Sequence, residues 1–150
     1  MDTPTAEQIE TALLEQALAY QKAGYTPLAA QLCRQILATN PERPEALLML
    51  GLILGRGDDP AAGADLIGRY LAQRPDDPFA IYNLGMLRQR QGQNQAALIL
   101  LERALMLKAD FAPALHGRGV ALHELGRLDE AAAAFRARAR ARTARRHRAE

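Results

Sequence analysis

The sequence predicts an all-α fold built from a repeated pair of helices. Residues that favour β-strands are scarce, since the 150 residues include 30 Ala and 24 Leu but only 6 Ile, 6 Thr and 1 Val. This composition favours helices over sheets. A second observation is a spacing of 34 residues that joins Ala17, Gly51, Gly85 and Gly119. A fixed period of this length indicates an array of helical hairpins.

Further positions repeat with the same spacing and alternate between small and large residues. They are Leu13, Leu47, Ile81 and Leu115, then Ala29, Gly63, Ala97 and Ala131, then Cys33, Ile67, Leu101 and Phe135. Small residues let two helix backbones approach, and large apolar residues fill the space between them. We therefore expect an array over residues 1–135, with units near 10–43, 44–77, 78–111 and 112–135.

Capping signals mark where the individual helices begin. Thr5 and Gln8 form the pattern of a capping box before the first helix. Thr26, Asp59 and Asp77 each precede a proline, as a side chain that caps a helix often does. Together with the apolar periodicity, these signals predict helices at 6–23, 27–39, 44–56, 60–73, 78–91, 94–108, 112–125 and 129–142.

Three segments carry a resemblance to a known family: residues 47–55, 81–87 and 126–131. They resemble the tetratricopeptide repeat family, whose helix-turn-helix unit has about 34 residues. The resemblance implies an α-solenoid, a right-handed superhelix of about four hairpins whose first helices line a concave surface. Gly63 departs from the family pattern, which has alanine there, and a glycine inside a helix costs about 1 kcal/mol relative to alanine.

Residues that carry enzyme chemistry are few. The chain has no Ser, which excludes a serine nucleophile. Its single cysteine, Cys33, falls at an interior position and cannot form an intrachain disulfide or a paired-thiol zinc site. His116 and His123 would lie about 10.5 Å apart along a helix, too far to share a metal ion. The sequence thus predicts a protein that is not an enzyme and uses no cofactor or metal.

The sequence favours a cytoplasmic location. Residues 1–10 contain Asp2, Glu7 and Glu10 but no Lys or Arg, unlike a signal peptide. The most apolar stretch, residues 47–54, is too short to span a membrane. A lone thiol is also typical of a reducing compartment.

Positive charge is concentrated at the carboxyl end. Residues 1–134 hold 12 basic and 16 acidic side chains, a net charge of −4, whereas residues 135–150 hold 7 Arg and only Glu150, a net charge of +6. We assign residues 136–150 to a separate Arg/Ala-rich basic tail, and we expect mutual repulsion to fray it.

The candidate binding surface lies on the predicted first helices, which are apolar on two faces. On the first of them, Leu13 and Ala17 lie on one face while Leu14 and Leu18 lie on the other. An exposed apolar face is typical of a partner-binding groove, although these residues also suit a seal between neighbouring first helices. The candidate partner-binding residues are Leu14, Leu18, Leu48, Met49, Leu52, Phe79, Tyr82, Asn83, Met86, Arg90, His116, Val120 and His123.

These observations predict a non-catalytic protein–protein interaction module, or scaffold, that holds an apolar or amphipathic partner segment in a concave groove. One alternative is a targeting arm of a larger transferase-like enzyme, because similar arrays precede transferase domains in some bacterial proteins. Another is a nucleic-acid-associated protein that uses the basic tail. The open ends of such an array also leave room for a homo-oligomer.

Overall fold

The computed structural model describes residues 2–150, and this part of the chain contains α-helices and no β-strand. The helices are α1 (Ala6–Lys22), α2 (Thr26–Thr39), α3 (Pro44–Arg56), α4 (Pro60–Gln73), α5 (Pro78–Arg90), α6 (Asn94–Leu107), α7 (Ala112–Glu124) and α8 (Leu128–Ala149). The all-α prediction is confirmed. Both ends of the first seven helices lie within one residue of the predicted ends, because proline, glycine and capping residues mark them locally.

The helices are arranged as hairpins within two compact units, one ending at Pro75 and the other beginning at Asp76. In the first unit α1 packs on α2 and α3 packs on α4, while α2 also contacts α3. In the second unit α5 packs on α6 and α7 on α8, with α6 against α7. The division of the chain into an array over 1–135 and a tail over 136–150 remains a prediction.

Glycines bring α3 and α4 into backbone contact in the first unit. A Cβ atom on Gly63 would lie 2.5 Å from the Gly55 nitrogen and 2.7 Å from the Gly51 oxygen. A Cβ on Gly51 would in turn lie 2.8 Å from a side-chain carbon of Ile67. Gly63 therefore occupies a position where an alanine side chain does not fit, and this is the physical reason for its departure from the family pattern.

The structure confirms two of the three N-cap side chains predicted before prolines. Asp59 accepts a hydrogen bond from the Ala62 nitrogen at 3.0 Å, and Asp77 accepts one from the Phe79 nitrogen at 3.0 Å. The third prediction is wrong, because α2 begins at Thr26 itself. The capping box of Thr5 and Gln8 is present, with bonds of 2.8 and 3.2 Å.

The residue at the repeated interior position is completely shielded from solvent in three of the four repeats. Cys33, Ile67 and Leu101 are fully buried, whereas Phe135 is 36% exposed. The Phe135 ring packs against Gly119, where an added Cβ would lie 2.6 Å from it. The predicted pairing of a small residue with a large one is therefore present on the last hairpin, but one side of the ring faces solvent.

Cys33 is a core residue with a protonated thiol. Burial raises the pKa of this thiol to about 11, and the positive charge on Arg34 opposes this effect without cancelling it. The thiolate is the reactive form, so burial and the raised pKa both suppress reactivity at neutral pH. The predicted structural role of this cysteine is confirmed.

We expect the Cys33 thiol of the folded chain to resist a chromogenic thiol reagent at pH 8. A pKa of about 11 instead of 9.0 lowers the thiolate fraction about 100-fold. The measurement is the labelling rate of the folded chain against that of the urea-unfolded chain, in which the same single thiol is accessible. Equal rates in the two samples would show that Cys33 is not enclosed.

The last helix is longer than the sequence predicts, since α8 continues to Ala149 rather than ending near residue 142. Alternating Ala and Arg explain the difference, because both have high helix propensity. The prediction of a frayed tail is therefore corrected. Of the helices in residues 2–150, none combines the length and the apolar character that a membrane span needs.

Candidate partner-binding site

The first unit carries an open cavity of about 340 Å³ on the surface formed by α1, α3 and α4. Its lining combines apolar side chains with a few charged and polar ones. The lining residues are Leu18, Gln21, Glu45, Leu48, Met49, Leu52, Ile53, Arg56, Tyr70 and Arg74. Ligand pockets in proteins start at about 300 Å³, so this volume is sufficient for a few side chains of a partner.

The apolar part of the cavity comes mainly from one face of α3. Leu48 and Leu52 are four residues apart, as are Met49 and Ile53, so successive turns of the helix place both pairs side by side. All four are half-buried, and each side chain thus contacts its own unit while part of it faces the cavity. Leu18 of α1 adds a further apolar residue to the lining, and it is 45% exposed.

Charged groups line one side of the cavity. The Glu45 carboxylate is 3.0 Å from Nε of Arg43 and 3.3 Å from Nη2 of Arg74. Partial burial raises the pKa of Glu45, but its backbone hydrogen bond and the charges of Arg43 and Arg74 outweigh that effect, so the net pKa lies below its ordinary value. Glu45 is therefore ionised at neutral pH and holds Arg74 at the edge of the cavity.

Two further polar groups retain binding capacity. The Oε1 atom of Gln21 is shielded from solvent and accepts no hydrogen bond from residues 2–150. A buried acceptor without a partner is costly, which favours a ligand that supplies a donor. Arg56 is exposed at the end of α3, and none of the described residues forms an ion pair or hydrogen bond with it. The cavity thus presents both an acceptor and a cation next to its apolar lining.

The structure brings together four of the five residues predicted on this unit. Leu18, Leu48, Met49 and Leu52 line the cavity, while Leu14 is half-buried and lies outside its lining. The sequence analysis missed Tyr70 and Arg74, because it placed the candidate binding surface only on the predicted first helices. A signal was present, since Ile36, Tyr70 and Ala104 share the 34-residue spacing and all three are buried.

On the second unit, two of the predicted residues belong to an aromatic cluster. The Phe111 ring lies 4.9 Å from the Phe79 ring and 5.1 Å from the Tyr82 ring, measured between centroids. The ammonium group of Lys108 lies 4.9 Å from the Phe79 centroid and 5.2 Å from that of Phe111. A cation over aromatic faces is stabilising, so Lys108 covers part of this cluster. Phe79 is nevertheless 55% exposed.

The remaining predicted residues of the second unit differ in their contacts and in their exposure. Asn83 donates a 2.7 Å hydrogen bond to the Phe79 oxygen of its own helix. The rings of His116 and Phe135 contact each other at a tilt of 49° with 5.7 Å between centroids, and His123 lies 3.6 Å from the Glu124 carboxylate. Met86 and Val120 are half-buried, and Arg90 is exposed. Within residues 2–150, no three His, Cys, Asp or Glu side chains cluster in a way that would hold a metal ion.

Comparison with known proteins identifies related folds. Residues 14–78 and 82–146 match the family model described as tetratricopeptide repeat. No curated protein sequence matches the chain. A crystal structure of MamA is similar over 92% of this chain and 81% of its own, with 22% identity and a TM-score of 0.85. A second MamA structure covers 88% of this chain and 72% of its own, with 23% identity and a TM-score of 0.81.

An enzyme is also among the similar structures. A mutant of the Thermobaculum terrenum O-GlcNAc transferase matches 81% of this chain with 32% identity and a TM-score of 0.72. The matched region is only 24% of the transferase chain. The likeness therefore concerns about a quarter of that protein.

Proposed function

The chain belongs to the tetratricopeptide repeat family, and we propose that it is a non-catalytic interaction module that binds an amphipathic helical segment of a partner protein. The cavity of the first unit carries this proposal. Its apolar lining and its volume of about 340 Å³ suit the side chains on one face of a helix. Packing of such side chains, rather than covalent chemistry, would supply the binding energy.

The polar groups around the cavity define the chemistry of the segment further. Arg56 has no carboxylate partner among the described residues, so an Asp or Glu on the segment would complement it. Gln21 offers a shielded acceptor to a donor on the segment. Met49 supplies a flexible side chain that adapts to apolar groups of different shape. The favoured ligand is therefore a helix with two apolar side chains on one face and an acidic residue beside them.

Peptide selection tests this proposal. The intact chain is immobilised and exposed to a displayed library of helical peptides in which all surface positions are randomised. We expect enriched peptides to carry two large apolar residues three or four positions apart, with an Asp or Glu nearby. Enrichment of peptides that lack the apolar pair, or no enrichment above an empty support, would contradict the proposed ligand.

The similarity to the transferase supports a second candidate function, in which this array is the targeting arm of a larger enzyme. The matched 24% of that transferase leaves most of its chain outside the array. Sequencing the complete transcript tests this candidate. A reading frame that joins these residues to a catalytic domain would support it, and a complete reading frame without a catalytic domain on either side would contradict it.

A further inference from the structure

The last part of α8 is a dense run of positive charge on a continuous helix. Residues 136–148 contain seven Arg, and α8 extends through them to Ala149. Six of the seven side chains are exposed and Arg138 is half-buried. At a rise of about 1.5 Å per residue, this segment extends about 20 Å.

These arginines have no partners within the described part of the chain. All ion pairs found there involve basic residues at or before residue 127, and no hydrogen bond joins any of the seven guanidinium groups to another residue. The only acidic residue after Glu130 is Glu150. Closely spaced like charges repel each other, so this segment would gain from an anionic ligand.

The arrangement of the charges around the helix limits the kind of ligand. At about 100° per residue, Arg136, Arg142 and Arg148 lie at roughly 0°, 240° and 120°, and the other four lie between them. The helix is therefore charged on all sides and lacks the apolar face with which a helix enters a membrane interface. A flat acidic protein surface would contact only one of these sides.

The major groove of duplex DNA fits this helix better than other anionic ligands. The groove is about 12 Å wide, admits an α-helix and has phosphates along both walls. The major groove of duplex RNA is too narrow for side chains to enter. No Phe, Tyr or Trp follows Phe135 to stack on the bases of a single strand.

We propose that residues 136–149 of α8 form a helix that binds duplex DNA in the major groove, through phosphate contacts and without sequence preference. This segment shares no residue with the cavity lining of the first unit, so either proposal can fail alone. Its binding energy would come from release of the counterions that surround DNA, which makes the affinity strongly salt-dependent.

Fluorescence anisotropy of the intact chain with a labelled random-sequence duplex tests this proposal. If five or six phosphates are neutralised, the logarithm of the binding constant should fall with that of the salt concentration, with a slope of about −5. The double variant Arg140→Gln, Arg142→Gln should reduce the slope by about 2, because each lost contact removes about 0.9. Glutamine retains helix propensity, which circular dichroism verifies.

A matched control removes the same charge elsewhere. The double variant Lys22→Gln, Arg34→Gln changes two exposed basic residues of the first unit that lie outside the cavity lining, and it should leave the slope unchanged. Equal effects of the two double variants would overturn the proposal, as would absence of duplex binding at 50 mM salt. Binding to single-stranded DNA, polyglutamate or phosphatidylserine vesicles as tight as binding to the duplex would also overturn it.

Discussion

The Gly63→Ala variant is expected to lose about 2–3 kcal/mol of unfolding free energy, although alanine is the better helix former. The added Cβ would lie 2.5 Å from the Gly55 nitrogen and 2.7 Å from the Gly51 oxygen. Both neighbours are backbone atoms and cannot move aside as a flexible side chain can. Helices α3 and α4 would have to separate, and close packing such as that around Ile67 would be lost.

Gly68→Ala is the matched control, since Gly68 lies in the same helix and nothing is within 4 Å of its added Cβ. This variant should gain about 0.5–1 kcal/mol from reduced backbone entropy of the unfolded chain. Urea unfolding followed by circular dichroism measures both variants. A Gly63→Ala variant as stable as Gly68→Ala would show that α3 and α4 are not in backbone contact.

The Leu52→Glu variant is expected to bind the amphipathic segment about 30-fold more weakly. The substitution removes apolar contact from the cavity and places a carboxylate among apolar side chains, at a cost of about 2 kcal/mol. Leu52 is only half-buried, so the fold should tolerate the change. Isothermal titration calorimetry with a selected peptide gives the dissociation constants.

Ile99→Glu provides the control for this substitution, because Ile99 is 60% exposed on α6 and lies outside the cavity lining. It introduces the same charge and should leave the dissociation constant within about twofold of the unsubstituted chain. If both variants weakened binding equally, the effect would come from net charge rather than from the cavity.

The fold could be predicted from the sequence because the hairpin repeat appears directly as a regular spacing of small and large residues. The spacing of Ala17, Gly51, Gly85 and Gly119 fixes the hairpin unit, and local capping residues fix the helix ends. The role of Gly63 could not be predicted, since helix propensity alone assigns it a penalty. Only the distance between two backbones shows that a side chain has no room there.

Helical periodicity also predicted the part of the candidate site that lies on α3. The i, i+4 pair Leu48 and Leu52 belongs to one helix, and sequence periodicity gives its shared face directly. Tyr70 lies on the second helix of the hairpin and Arg74 directly follows that helix, so their place in the cavity depends on how the helix packs. Likewise, Phe111 and Lys108 lie between helices, where no periodic pattern places a side chain.

Two opposing effects act on the helix of the basic tail, and the sequence analysis gave too much weight to the repulsion between arginines. Repulsion between arginines opposes a helix, whereas the high propensities of Ala and Arg favour it. In the structure α8 continues to Ala149, so local propensity outweighs repulsion. Neutralising the charges with a polyanion would further favour the helix.

Methyl NMR of the intact chain, titrated with a selected amphipathic peptide, tests the central claim most directly. The methyl groups of Leu18, Leu48, Leu52 and Ile53 report on the cavity, and those of Ile99, an exposed residue of the second unit that is not among the lining residues, serve as the reference. We predict saturable shifts for the cavity methyls and none for Ile99. Shifts confined to Ile99 and other residues outside the cavity would contradict partner binding at this site.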